Sequence, residues 1–337
     1  MKKIVAYLLF AFAICGTPVF AQDFHLSQYD MASLYINPAL TGMYSGEKGD
    51  FKIYNDYRSQ WASLGNVPYS TEYLAFDMPV QKWGKNFGVG AYLIDNRAPA
   101  GSFSTMNFMT SIAYDIMSKE NSNGKHYLTT GIQLGIFYKS FNPNSFTYDD
   151  QYSASEGGFD QSLPSGESFS KTGLVNFDAN YGLFYKYIEE TKIYHPFFGF
   201  SIQHLTMPNE SFTTVKSHLP MRFNFQGGCD LQVTEKLKLI PEAFYMTEAG
   251  ATEFDAGLLA FYKINTTQFQ AMLGGDVRVA DAVVIHLGIK YGEDIFRFSY
   301  DINTSYLNAF TGGRGAWELS LIITGMKGHP LFGKGMF

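Results

Sequence analysis

From about Asp50 to the end of the chain, apolar side chains alternate with polar or small ones in stretches of about 9 to 13 residues. A period of two demands a strand with two unlike faces. In Ser104–Ile116, the side chains of Met106, Phe108, Ile112, Tyr114 and Ile116 point one way, while Thr105, Asn107, Ser111, Ala113 and Asp115 point the other. One face is oily and the other wet. The fold expected is all-β: a transmembrane antiparallel β-barrel of about 14 strands, preceded by an N-terminal segment outside the barrel pattern. A soluble β-sandwich or jelly roll would also alternate, but strand length, outward aromatics and loop parity weigh against it.

The N-terminus addresses the chain to export. Lys2 and Lys3 precede an apolar run from Ile4 to Cys15, and Val19-Phe20-Ala21 offers small residues around a signal-peptidase site. Residues 1–21 are expected to be a cleavable signal peptide, leaving Gln22 first. A lipoprotein reading of Cys15 fails because Ile14 stands where a small residue is required. The expected destination is the outer membrane of a Gram-negative bacterium.

The chain has 25 basic and 31 acidic side chains. Residues 1–21 contain two lysines and no acid, so the mature chain keeps 23 basic groups and a net charge of −8. No nucleic acid is expected as a partner. Cys229 is then the single thiol, expected as a small lipid-facing or core residue. After the signal run no apolar stretch reaches the roughly 18 residues of a spanning helix. Yet Tyr and Phe occupy 54 positions, enough to supply the aromatic girdles of an outer-membrane barrel, whose lipid is an expected partner.

The alternation places strands at 48–57, 69–78, 86–94, 104–116, 127–138, 174–187, 194–205, 220–232, 237–246, 253–264, 267–275, 282–291, 295–303 and 315–325. The number is even, as a closed antiparallel barrel with both ends on one side requires. Links after even-numbered strands are short or moderate, and those after odd-numbered strands tend to be longer, including 58–68, 139–173, 206–219 and 304–314. Short periplasmic turns and long outer loops have that parity.

Charges fall on the face opposite the apolar one. Asp178 and Lys186, His286 and Lys290, Arg297 and Asp301, and Glu318 all alternate with large apolar residues. Inward Asp178, Lys186, Arg222, Asp230, Glu242, Asp255 and Lys263 mix both signs, and they either pair with one another or line water. Two strands resist: Pro241 would remove a ladder hydrogen bond, and Glu72 and Asp77 fall on opposite faces of the second strand.

Catalytic spacing is lacking. There is no HExxH, CxxC, GxSxG, P-loop or strand-turn-helix GxGxxG, and the seven histidines are dispersed, so neither enzyme activity, a metal nor a cofactor is expected. Gly312, Gly313 and Gly315 read as a flexible loop. The long loop 139–173 carries Asp149, Asp150, Glu156, Asp160 and Glu167 without EF-hand spacing, and its length suits binding or plugging.

Residues 22–47 form a segment with apolar anchors at Leu34, Tyr35, Ile36 and Leu40 and with Pro38 blocking a regular element. So apolar a tail is expected to dock, either as a plug or against a periplasmic partner. The barrel is expected over 48–326, with a C-terminal tail at 327–337.

Within that segment, "SQYDMASLYINPALTG" (Ser27–Gly42), followed by "YRSQW" (Tyr57–Trp61), resembles the PorP/SprF family of outer-membrane proteins of type IX secretion and gliding in Bacteroidota. "FSYDIN" (Phe298–Asn303) and "ELSL" (Glu318–Leu321) extend the resemblance to the far end of the mature chain. It implies a barrel that supports secretion or surface anchoring of a specific partner such as an adhesin, and that contacts periplasmic type IX secretion components. Asn37, Pro38, Arg58 and Trp61 are its signature positions, expected to anchor the tail or bind a partner. The alternative is a passive porin or solute channel, distinguished by whether the lumen is filled.

Overall fold

The computed structural model describes residues 24–44, 49–65, 67–82, 85–121, 124–155, 157–264 and 267–325. The expected signal peptide and the C-terminal tail 327–337 lie outside the described residues. The strands are β1 (Phe51–Gln60), β2 (Tyr69–Lys82), β3 (Lys85–Ala98), β4 (Phe103–Asn121), β5 (Gly124–Ser140), β6 (Tyr152–Ser153), β7 (Gly158–Phe159) and β8 (Gly173–Ile188). They continue with β9 (Tyr194–Gln203), β10 (Arg222–Gln232), β11 (Leu237–Glu248), β12 (Ala251–Lys263), β13 (Phe269–Arg278), β14 (Ala282–Tyr291), β15 (Asp294–Asn303) and β16 (Arg314–Gly325).

All except β6 and β7 join one closed antiparallel barrel in chain order, with β5 beside β8 and β16 returning to β1. The seam runs from Phe51 opposite Gly325 to Gln60 opposite Ala316. The expected fourteen-strand barrel is therefore the observed fold, and closure gives every barrel strand a partner on both sides. Links after β2, β4, β8, β10, β12 and β14 share one end, the turn end, with the start of β1 and the finish of β16. The remaining links form the loop end.

Alternation predicts the two faces well. Phe108, Ile112, Ile132, Leu273 and Leu287 are exposed on the outside, while Asn107, Ser111, Gln133, Met272 and His286 are buried inside. No helix among the described residues is long and apolar enough to cross a membrane.

Several local expectations need correction. β1 is shifted to Phe51–Gln60, which moves Arg58 from the expected loop onto a strand, where it is buried. Its polarity imitates a loop, but in this barrel polar side chains belong to the inner face. β4 and β5 extend toward the turn end, converting most of the expected link 117–126 into ladder, with a register shift between Asp115 and Met117. β2 resolves with Thr71, Tyr73, Ala75 and Asp77 buried inward and Glu72 exposed outward. Pro241 stays in β11, paired with Leu258 of β12. On its other side the β10 ladder keeps register but skips Cys229 and Asp230, the positions opposite the proline and its neighbour.

The loop after β5 is folded. Phe141 packs against Phe146, Phe169 and Phe212, with the Phe212 ring centroid 4.5 Å away, and the Phe141 N–H donates to the Thr172 carbonyl at 3.1 Å. β6 and β7 make a short hairpin at its tip. No group of three or more His, Cys, Asp or Glu side chains among the described residues is arranged to hold a metal ion.

Candidate functional site

The principal apolar cluster among the described residues lies inside the barrel, and residues 24–44 supply seven of its sixteen buried members. Leu26, Tyr29, Met31, Leu34, Tyr35 and Ile36 pack against inward Tyr54, Tyr73, Tyr92, Met109, Phe244 and Met246. Tyr29 stacks on Phe244 at 4.8 Å and Tyr35 meets Tyr92 edge-on at 6.1 Å. Short helical turns at Tyr29–Ala32, Ser33–Ile36 and Pro38–Leu40 fold the segment, and Asn37 caps the last by accepting the Ala39 N–H at 3.0 Å.

Near the loop end a buried ion network receives the segment. The Arg58 guanidinium donates to the Ser27 hydroxyl at 2.6 Å, to Glu318 at 3.0 Å and to Asp301 at 3.0 Å. Arg278 donates to Asp301 at 2.7 Å, to Asp281 at 2.6 Å and to Ser27 at 3.1 Å. Glu318 in turn accepts the backbone N–H groups of Ser27 (2.9 Å) and Gln28 (2.7 Å). His25 Nδ1 lies 3.0 Å from Glu253. Each charge has an opposite charge or a donor beside it, the condition under which ionised groups persist away from water.

The opposite wall receives the middle of the segment through its backbone. Gln133 donates to the Leu34 carbonyl at 2.7 Å, Gln203 to that of Tyr35, and Ser201 to that of Ile36 at 2.6 Å. Asn37 Nδ2 donates to the Leu183 carbonyl at 2.9 Å, and Thr129 Oγ1 donates to the Ala39 carbonyl at 2.8 Å. Two wall glycines make this approach possible. A Cβ on Gly182 would collide with the Asn37 side chain, and one on Gly131 with the Pro38 carbonyl. Nearer the turn end, Arg297 grips Asp30 with two bonds of 2.6 and 2.8 Å, and Asp77 accepts the Gly42 N–H at 2.7 Å.

Below the segment, toward the turn end, lies a cavity of about 450 Å³. Asp30, Met31, Ser33, Ile36, Leu40 and Met43 face into it from the segment; Lys52, Lys186, Lys236, Lys238, Lys263 and Lys290 line it from the wall and its links.

The family model described as type IX secretion system membrane protein PorP/SprF matches residues 19–323. The chain belongs to that family. As a PorP/SprF protein it is a type IX secretion-associated outer-membrane barrel. No curated protein matches the chain. Among solved structures it is similar to the Ralstonia pickettii toluene transporter TbuX, at 11% identity over 86% of this chain and 92% of that one, with a TM-score of 0.45. A Pseudomonas aeruginosa FadL homologue is similar at 12% identity over 92% and 96%, with a TM-score of 0.44. Such values say nothing about what this PorP/SprF barrel binds.

The signature positions do not form one site. Asn37 and Pro38 meet β5, β8 and β9, whereas Arg58 sits in the ion network with β15 and β16. Trp61 follows the end of β1 in a left-handed conformation (φ 55°), with its ring edge-on to Tyr69 at 5.5 Å. The inward charges divide. Asp178 pairs with His204 at 2.5 Å, Lys186 with Asp230 at 3.0 Å, and Arg222 bonds Tyr35 at 2.7 Å, with Asp255 3.9 Å from Arg278. Glu242 and Lys263 line the cavity, as do Lys186 and Asp230. Sequence reasoning noted Asp77 only as a charge whose face it could not assign, and did not single out Arg278 or the two wall glycines. Asp77 and the glycines lie among small or apolar neighbours, and Arg278 falls beyond the expected end of its strand.

Proposed function

We propose that this barrel supports the secretion or surface anchoring of a specific exported protein, such as an adhesin, with residues 24–44 acting as a plug. The supporting observation is the bonding of that segment to both walls. A diffusion pore needs an open path, yet charged hydrogen bonds of the kind made by Arg58, Arg297 and Glu318 contribute roughly 1.5–3 kcal/mol each. Several would have to break together.

On this reading the loop end faces outward and presents the partner surface. Tyr152, Phe159, Val215, Tyr306 and Phe310 are exposed there on structured loops, the exposed apolar surface that partner docking uses. The turn end faces the periplasm and meets components of the secretion machinery. Asn37, Pro38 and Arg58 act as plug anchors, and no residue has a catalytic role.

The test compares surface and medium proteomes of wild type and a deletion strain. One or a few exported proteins should disappear from the surface while nutrient uptake is unchanged. Unchanged proteomes would remove this reading in favour of the passive porin.

A further inference from the structure

We propose that the lysine-lined mouth at the turn end binds an extended acidic peptide segment. The fold gathers Lys52 of β1, Lys186 of β8, Lys238 of β11, Lys263 of β12 and Lys290 of β14 around one cavity, with Lys236 on the link before β11. With Arg297 these seven cations outnumber the five acids that also line the cavity, Asp30, Asp230, Glu235, Glu242 and Glu293, in a chain whose net charge is −6. Asp230 serves Lys186 at 3.0 Å and Lys238 at 3.7 Å, and Glu293 serves Lys290 at 2.8 Å. Among the described residues, the ammonium groups of Lys236 and Lys263 have no ion-pair partner, and both side chains are exposed. The floor is closed, because Asp30 already occupies Arg297. A ligand would therefore rest in the mouth and not pass through it.

The spacing of the lysines favours an extended ligand. Neighbouring strands lie about 4.8 Å apart, so Lys238, Lys263 and Lys290, on β11, β12 and β14, span roughly 14 Å of wall. A phosphate-sized anion meets one or two of them. In an extended peptide, carboxylates on alternate residues recur about every 7 Å and reach all three. The cavity volume falls within the roughly 300–1,000 Å³ of ordinary ligand sites. Binding rests on the excess of cations in the lining and on the ammonium groups of Lys236 and Lys263. Assigning the segment to a periplasmic component rests on the orientation proposed above.

The experiment uses the mature barrel in neutral detergent and a fluorescein-labelled oligo-glutamate peptide, with oligo-glutamine as control. Anisotropy should show saturable binding to the acidic peptide that weakens with added salt. The pair K236E/K263E should weaken it at least tenfold. K171E/K216E, which changes the net charge equally on loop-end surfaces, should leave it within twofold. The milder pair K236Q/K263Q should fall between, and heat-modifiable gel migration verifies that each barrel is folded. Equal loss in both charge-reversed pairs, no saturable binding, or displacement by inorganic phosphate at matched charge would overturn the proposal. Epitope tagging of the two ends is independent of these outcomes, so a reversed orientation would change the owner of the segment without touching the site.

Discussion

Arg58 and Glu318 stand directly opposite each other across the seam that closes the barrel, their charged groups 3.0 Å apart and both fully buried. Glu318 also accepts the Ser27 and Gln28 N–H groups. The same ion pair therefore ties the two seam strands to each other and to the N-terminal segment.

Replacing Arg58 with Met should cost about 3–5 kcal/mol, because it leaves Asp301 and Glu318 buried with one cation fewer. The readout is the temperature at which the folded gel band converts to the unfolded one, which should fall. Arg58→Lys should lie between, since an ammonium restores the charge but not the forked geometry that reaches Ser27, Asp301 and Glu318 together. A Met variant converting at the wild-type temperature would show that the network contributes nothing.

Gly182→Val and Gly131→Val should dislodge the Asn37–Ala39 stretch while leaving the strands paired. In a Cys229→Ala background, a cysteine introduced at buried Leu34 should resist a membrane-impermeant thiol reagent and become reactive when either glycine is replaced. Continued protection would mean that the wall yields instead of the segment.

Leu183→Arg or Leu321→Arg places a charge on the lipid face at a cost of roughly 2–4 kcal/mol near midplane, so assembly should fail. The inner face divides in two. Asn180 bonds Gln133 and the His204 N–H, and Ser320 bonds Asp56, so arginine at either should also impair folding through overpacking. Gln270, which lines the cavity, should accept arginine. Outer-membrane yield measures all five, and equal tolerance would contradict the assigned faces.

Epitopes at Ser162 and Asn121 should report opposite sides of the membrane. The first should bind antibody on intact cells and the second only after permeabilisation. Surface detection of Asn121 would invert the proposed orientation.

Much of the barrel is legible in the sequence because lipid and lumen impose unlike chemistry on alternate residues. Phe296, Phe298 and Tyr300 against Arg297, Ser299 and Asp301 leave little freedom. The pattern fails where the interior is itself polar and crowded: Arg58 reads as loop, and Asp77 cannot be assigned a side without knowing that Gly42 donates to it. Asn37 and Pro38 are visible as signature residues, but their neighbours are not. Asn37 meets the Leu183 carbonyl across 146 residues of chain, and Gln28 meets Glu318 across 290. Periodicity describes faces of single strands, whereas these contacts depend on which strands the closed barrel brings opposite one another.

The most direct test of the proposed plug is single-channel conductance of the purified mature protein in planar bilayers, beside a version lacking residues 22–44. The intact barrel should be silent and the truncated one should show a steady open level. A steady open level from the intact barrel would contradict the account.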